Sequence, residues 1–428
     1  MARITEYKFY TEHKLIEVLP SPAIAYIPIV QHLGRPCDSF DVKTGDQVSV
    51  GQRIATAASQ PFAPVHSSVS GKVASIQNWP HPVMGTCKAV VIENDRLDTP
   101  VHKPADNIPA DDAKNLTDKQ IRDIVFEAGI VGMGGASFPT HIKLQPPKPV
   151  NTLIINIAEC EPYLTGDSQL TIEKTGQIIA GIELVSRCFP HLKKIIIAIE
   201  DNKPHAIKAL RKSTEKTPYT IAVLKAQYPQ GGEKQLIKKI LNIEVPRAKL
   251  PFEVGVSVQN VSTVFAIYEA VYARKPLYER IVTVTGSCLA NPKNLLCRIG
   301  TPLKELIQYC GPLRESPAKI IVGGPMMGIA QYTDEAPVIK STTGVILMNK
   351  REAKSADETA CIRCGACIRE CSMGLMPCLM NQASEKGFWQ QAKDCGALDC
   401  LECGLCNYVC PAHRRIVQSV KRAKMEIK

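Results

Sequence analysis

The chain has 428 residues, 45% apolar and 22% charged, with a formal charge of +11. That length calls for three or four domains, and the apolar share excludes a disordered or fibrous chain. Basic charge is spread along it and aromatics are only 5%, without the aromatic–basic interleaving of a base-stacking surface, so nucleic acid is not an expected partner.

The first residues, MARITEYKFYTEHKL, lack the apolar segment of a secretory signal. No run reaches the roughly 18 apolar residues of a membrane span. The expectation is a cytoplasmic chain, soluble or peripheral to a membrane.

Residues 1–110 read as all-β, with short alternating runs broken by Gly and Pro. VKTGDQVSVGQRIA (42–55) has a hairpin turn at Thr44–Gly45–Asp46, and PVHSSVSGKVASI (64–76) follows. The pair resembles the flattened barrel of biotinyl and lipoyl carrier domains. Those carriers hold a modified lysine at a hairpin tip. Here Ser67–Ser68 stand near the tip and Lys72 comes after it, so a barrel-sandwich hybrid without a swinging arm is expected, as a docking or structural module.

Residues 111–275 alternate helix and strand. Ile121, Ile124 and Val125 share one face of a helix over Asp118–Ala128, with Thr117 as its N-cap. Leu153–Ile157 and Ile195–Ile199 are apolar strands, and Asn202–Arg211 and Lys234–Leu241 are helices. This is an α/β unit with a largely parallel sheet. Gly132, Gly134 and Gly135 form a loop whose successive N–H groups make an anion nest, with Lys143 as a fixed charge nearby. No Gly-Lys-Ser/Thr follows, so it is not a Walker loop, and GxGxxG is not matched. Asn156, Glu159 and Glu161 follow a strand directly, where open α/β sheets bind ligands, and acidic groups there suit ribose or ribityl hydroxyls. Gly231, Gly232 and Glu233 enter a helix, and Asn260 and Thr263 start another.

Residues 276–345 read strand, loop, helix, strand. Arg280–Ser287 alternates, Pro302–Cys310 is helical, and Lys319–Val322 is a strand before Gly323–Gly324. A small β-grasp domain fits. Residues 346–428 read as helical around cysteines, with a last helix ending within Gln418–Lys428. The tail sets Arg414, Arg415, Lys421, Arg422, Lys424 and Lys428 against Glu426 alone. That is either a solvated helix face or a contact for anionic lipid or an acidic partner protein of the same assembly.

The cysteines of this last segment carry the strongest signal. Cys361, Cys364, Cys367 and Cys371 are spaced x2, x2, x3; Cys400, Cys403, Cys406 and Cys410 repeat the spacing, and Pro411 follows. This is the ligand pattern of two [4Fe–4S] cubanes, in which each run lends its last cysteine to the other cluster. One cluster is assigned Cys361, Cys364, Cys367 and Cys410; the other, Cys371, Cys400, Cys403 and Cys406. Zinc sites use pairs of C-x2-C rather than matched quadruplets. The remaining cysteines are scattered, as buried free thiols in a reducing compartment would be.

The ordered segments GMGGASFPTHIK (132–143), NIAECEP (156–162), YPQGGEKQL (228–236), QNVST (259–263) and VGGPMMG (322–328), with the double cysteine run, resemble the C subunit of the Rnf electron-transport complex. Several are also similar to the flavin- and NADH-binding subunit of respiratory complex I. The resemblance spans nearly the whole chain. It implies a multidomain α/β and α+β protein: a barrel-sandwich hybrid, a Rossmann-like flavin domain, a β-grasp domain of the SLBB type and a ferredoxin-like module.

The function implied is electron transfer between NAD(H), FMN and two [4Fe–4S] clusters in an ion-translocating oxidoreductase. Its expected partners are integral membrane subunits, with ferredoxin as a further one, at the cytoplasmic face of the membrane. Carried over by motif, Gly132, Gly134, Gly135 and Lys143 would contact FMN and Phe138 would stack on the nucleotide. Asn156, Glu159 and Glu161 would line the site, with Glu161 facing nicotinamide. Gly231, Gly232, Glu233, Asn260 and Thr263 would complete it, and no side chain acts as a general base. Ala158 and Gly232 replace acidic residues of the complex I motif, and Ser372 stands where proline usually follows a ligand quadruplet. Two alternatives stay open: a soluble flavin–iron–sulfur oxidoreductase serving another reductase, and an electron wire lacking its own nucleotide site.

Overall fold

The computed structural model describes residues 4–353 and 356–427. Near the N-terminus two small sheets face each other. One is antiparallel, in the order Ile24–Pro28, Gly85–Asn94, Gly71–His81, Gln47–Val48; the other runs Ser39–Phe40, Arg53–Thr56, Val65–His66. The hairpin turn expected at residues 44–46 forms on Gly45, whose φ of +97° suits glycine, and the Asp46 carboxylate accepts from Lys43 N–H at 2.9 Å. Ser67 and Ser68 are fully buried, and the Ser68 hydroxyl donates to the Ile299 carbonyl. The stretch where a carrier would present its lysine is therefore sealed beneath the chain around Ile299.

The next unit is a four-stranded, wholly parallel sheet in the order Thr220–Leu224, Lys194–Glu200, Thr152–Ile157, Val256–Asn260. Both faces are covered, which explains its uninterrupted apolar runs. Leu153, Ile155 and Ile157 pack toward the helices Thr175–Arg187 and Val261–Ala273. Ile154 packs with Leu236 and Ile237 of the helix Glu233–Leu241 on the other side. The helix Asp118–Glu127 begins at a capping box between Thr117 and Gln120. The strand order reverses at Thr152–Ile157, because the chain steps outward through two strands and then returns to its other side. The crevice beyond the carboxyl ends of Thr152–Ile157 and Val256–Asn260 is thus the switch point where such sheets bind ligands.

A six-stranded mixed sheet follows, in the order Ile16–Val18, Lys293–Arg298, Glu279–Thr285, Gly344–Met348, Lys319–Val322, Ile329–Gln331. The chain's first strand pairs in parallel with Lys293–Arg298 and belongs to this sheet, not to the barrel. The helix Leu303–Tyr309 covers one face through Leu303, Leu306 and Ile307. Barrel and parallel-sheet unit share one continuous core. Lys340, 1% exposed, pins the junction: its ammonium donates to the carbonyls of Pro64 (2.7 Å) and Gly129 (2.6 Å), and burial pulls it down to about 7.

The C-terminal part is helical: Ala366–Arg369, Pro377–Glu385, Trp389–Asp394, Leu405–Tyr408 and Ile416–Glu426 enclose Met380, Ala392, Val417 and Val420. The tail's charge is mostly neutralised within the fold. Arg414 pairs with Glu358 and Glu385, Lys421 and Lys424 with Glu402, and Arg422 lies over the Trp389 ring. Lys428 lies outside the described residues. No helix among the described residues is long and apolar enough to cross a membrane.

Candidate functional site

Three loops meet at the switch point. The glycine loop is closed by Gly132 N–H donating to the Phe138 carbonyl at 3.0 Å, and Met133 N–H donates to the Thr263 hydroxyl at 2.9 Å. Thr263 is fully buried and acts from behind the loop. Gly134 packs on the Asn260 side chain: a Cβ there would stand 2.5 Å from Asn260 Nδ2. Asn260 in turn caps the helix Val261–Ala273, accepting from Ser262 and Thr263 N–H. At Gly135 an added Cβ would meet nothing within 4 Å, and its φ is not positive. Neither a positive φ nor packing within the chain requires glycine at 135, and the open space beside it would let a ligand approach the backbone closely. Phe138 is half-buried on the same loop.

The strand-end loop is tied down at every polar group. Asn156 donates to the Gly231 carbonyl at 3.0 Å and accepts from Ala158 N–H at 3.0 Å. The Glu159 carboxylate accepts from Asp167 N–H at 2.9 Å, at the start of the helix Gly166–Glu173, and burial raises its pKa. The Glu161 carboxylate accepts from Met326 and Met327 N–H at 3.1 and 2.9 Å, and burial pushes it up to about 7. Ala158 is buried in the core beside Ile154 and Leu236, where an aspartate would be an unpaired charge. Gly231 lies so close beneath the loop that a Cβ would stand 2.4 Å from the Ala158 carbonyl. Glu233 and Lys143 pair at 2.7 Å across the site, both about a third exposed.

Two contributors were not legible beforehand. Lys8, 5% exposed, donates to the carbonyls of Glu159 (2.7 Å), Glu161 (2.8 Å) and Leu164 (2.7 Å). These partners lie 151 to 156 positions away, so no local pattern could mark it. Asp167 accepts from Asn260 Nδ2 at 2.6 Å and from the Ser262 hydroxyl, joining the strand-end loop to the cap behind the glycine loop. An acidic residue in a first helical turn was its only signal.

The two cysteine runs fold alike. Arg363 and Glu402 both take positive φ (55° and 58°), as do Gly365 and Gly404 (72° and 79°), before the short helices that carry Cys367 and Cys406. Non-glycine residues repeat such a conformation where a site demands it. Leu375 N–H points to Cys371 Sγ at 3.4 Å, and Arg414 N–H to Cys410 Sγ at 3.5 Å, the same relation in each run. Cys371, Cys400, Cys403 and Cys406 line one pocket. Cys378 and, less closely, Cys410 lie near Cys367, while Cys361 is half-buried and Cys364 exposed. Among the described residues no three His, Cys, Asp or Glu side chains form a single-ion site. Four thiols stand around this one cavity and could hold a cluster between them.

That pocket abuts the segment that runs from Tyr228 to Gln235. The Tyr228 hydroxyl donates to the Cys403 carbonyl at 2.6 Å, and Gln235 Nε2 donates to the Ser372 carbonyl at 3.0 Å. A Cβ on Gly232 would lie 3.4 Å from Leu401, so the residue that replaces an acid of the complex I motif is where the cysteine loop closes in.

Comparison with known proteins agrees with this arrangement. Residues 2–97 match the RnfC barrel sandwich hybrid domain, 125–269 the Nuo51 FMN-binding domain and 281–330 the SLBB domain. The C subunit of the proton-translocating ferredoxin:NAD(+) oxidoreductase complex of Clostridium ljungdahlii is 44% identical over 98% of this chain and 91% of its own length. The chain belongs to the family of Rnf C subunits. Its Na(+)-translocating relative from Acetobacterium woodii is 41% identical, covering 95% of this chain and 91% of its own. The C subunit of the ion-translocating oxidoreductase complex of Rhodobacter capsulatus is 39% identical over 98% of this chain and 80% of its own. An Rnf C subunit is an electron-transfer component of an ion-translocating oxidoreductase, and the FMN-binding domain lies where the three loops meet. An NAD+-reducing [NiFe]-hydrogenase shares the fold, with a TM-score of 0.51 and 18% identity over 76% of this chain and 67% of that one.

Proposed function

We propose that this protein passes electrons between NAD(H) and two [4Fe–4S] clusters by way of a bound FMN, within a ferredoxin:NAD-type complex whose membrane subunits it joins at the cytoplasmic face. FMN, when bound, supplies the exchange between a two-electron hydride donor and one-electron carriers. The glycine loop of Gly132, Gly134 and Gly135, with Lys143, holds the flavin. Phe138 stacks on the nucleotide and Glu161 orients the nicotinamide, while Asn156 and Glu159 shape the strand-end loop. Gly231, Gly232 and Glu233 close the side toward the clusters, and Asn260 and Thr263 brace the glycine loop from behind. Cys371, Cys400, Cys403 and Cys406 hold the nearer cluster, and Cys361, Cys364, Cys367 and Cys410 the outer one. We take the four domains as 1–110, 111–275, 276–345 and 346–428.

The observation that carries the proposal is the hydrogen bond from Tyr228 to the Cys403 carbonyl, because it joins the cysteine pocket to the segment that enters the flavin site. The relatives' names support ferredoxin and NAD as the redox pair, but one couples to protons and the other to Na+, so no ion is assigned. The test is anaerobic purification followed by analysis. About eight irons, eight sulfides and one FMN per chain are expected. Colourless protein, or zinc in place of iron, contradicts the proposal.

A further inference from the structure

The segment Val322–Gly328, VGGPMMG, has no part in the electron path described so far. It forms the tip of the hairpin between Lys319–Val322 and Ile329–Gln331, at one edge of the six-stranded sheet. Its three glycines answer three different demands. Gly323 takes a φ of +95°. Gly328 N–H donates to the Gly324 carbonyl at 2.8 Å, and a Cβ on Gly328 would stand 2.3 Å from that oxygen. Gly324 has no positive φ, but a Cβ there would stand 2.1 Å from Glu161 Cδ and Oε2. Closing the turn therefore accounts for two glycines, and contact with the Glu161 carboxylate accounts for the third.

The next two N–H groups of the tip grip that carboxylate, Met326 on Oε2 and Met327 on Oε1. On the tip's other side lies Gly404, between Cys403 and Cys406; a Cβ on it would stand 2.7 Å from the Met326 carbonyl. One short turn is thus wedged between the strand-end loop and the cysteine pocket.

We propose that this hairpin tip is a positioning element of the nicotinamide site. It presets the Glu161 carboxylate to accept from the carboxamide of NAD(H), and by resting on Gly404 it ties that carboxylate to the neighbouring cysteine pocket. The inference rests on the reading of Glu161 as the nicotinamide-facing residue. A carboxylate offers about four lone-pair sites, so two backbone donors leave acceptor capacity for an amide. Holding it with fixed N–H groups also removes the rotamer entropy that ligand binding would otherwise have to overcome.

The test uses the full-length chain loaded with flavin and iron, and measures NAD(H) affinity by calorimetry under anaerobic conditions. Gly324→Ala is expected to weaken binding roughly ten-fold, the loss of a hydrogen bond to a charged group, with flavin and iron content unchanged. Glu161→Ala is expected to weaken it similarly. The double variant should bind no more weakly than Glu161→Ala alone, because the added Cβ then has no carboxylate to displace. Additive losses overturn the inference while leaving the nucleotide site intact. Wild-type protein that binds no NAD(H) overturns the nucleotide reading, and the inference falls with it. If Gly324→Ala does not fold, amide exchange decides: Met326 and Met327 must exchange faster in Glu161→Ala than in wild type, and unchanged exchange refutes the inference.

Discussion

Lys8 is the residue from which the strand-end loop hangs, and Lys8→Met isolates its contribution. The substitution keeps most of the length of the side chain and removes the ammonium. The carbonyls of Glu159, Glu161 and Leu164 then lose a charged donor. At about 1 kcal/mol per under-satisfied carbonyl, the loss is roughly 3 kcal/mol. Against it stands the burial of the ammonium, which, with the like charge of Lys203, already pulls Lys8 below the ordinary lysine range. Removing that burden returns about 1 kcal/mol, a low figure because Glu159 and Glu200 favour the charge. The net of about 2 kcal/mol is a roughly 30-fold rise in opening of the loop. That is small beside the stability of a chain with several cores, so the fold persists and the loop loosens. Hydrogen–deuterium exchange of the full-length protein reads this directly. Amides of residues 159–164 should exchange roughly 30-fold faster, NAD(H) affinity should fall, and iron content should stay unchanged. Wild-type exchange and affinity in Lys8→Met would refute the reasoning.

Three further outcomes follow from the geometry. Glu161 is pushed up to about 7 by burial, so its acceptor form grows as pH rises through that value. NAD(H) binding should therefore tighten between about pH 6 and pH 8, and Glu161→Gln should flatten the profile; a profile unchanged in that variant counts against the role. Because its folded pKa is raised, Glu161 contributes stability that is present below the ordinary carboxylate range and lost as pH climbs through about 7. Gly134→Leu drives a Cβ to 2.5 Å from Asn260 Nδ2, so flavin should be lost with iron retained; full flavin occupancy would show the loop assignment to be wrong. Cys371→Ser should remove about half the iron, Cys371→Ser with Cys403→Ser no more than that, and Cys371→Ser with Cys364→Ser nearly all. The reverse pattern would show that each run holds its own cluster.

Much of this site could be read from the sequence because its signals are local. The cysteine spacings, the glycines at 132, 134 and 135, and the strand-end acids all lie within short windows. Leu153–Ile157 announced a buried parallel strand because both its faces are covered. What escaped was long-range pairing. The strand Ile16–Val18 crosses to Lys293–Arg298, and Lys8 reaches a loop on a different unit, through contacts that no periodicity encodes. The segment VGGPMMG was visible as a motif, but its partner Glu161 lies 165 positions earlier, so its role emerged only from the fold. The basic tail looked unpaired because its acids come from elsewhere: Glu358 and Glu402 from loops and Glu385 from the end of the helix Pro377–Glu385.

The central claim is that one chain joins a two-electron nucleotide site to two one-electron clusters. Anaerobic titration of the flavin- and iron-loaded protein with NADH, followed by visible absorbance and electron paramagnetic resonance, tests it most directly. FMN accepts two electrons and each cluster one, so bleaching and the signals of both reduced clusters should saturate together near about two NADH per chain. Saturation near one equivalent, with flavin bleached and both clusters still oxidised in the presence of further NADH, would contradict the account.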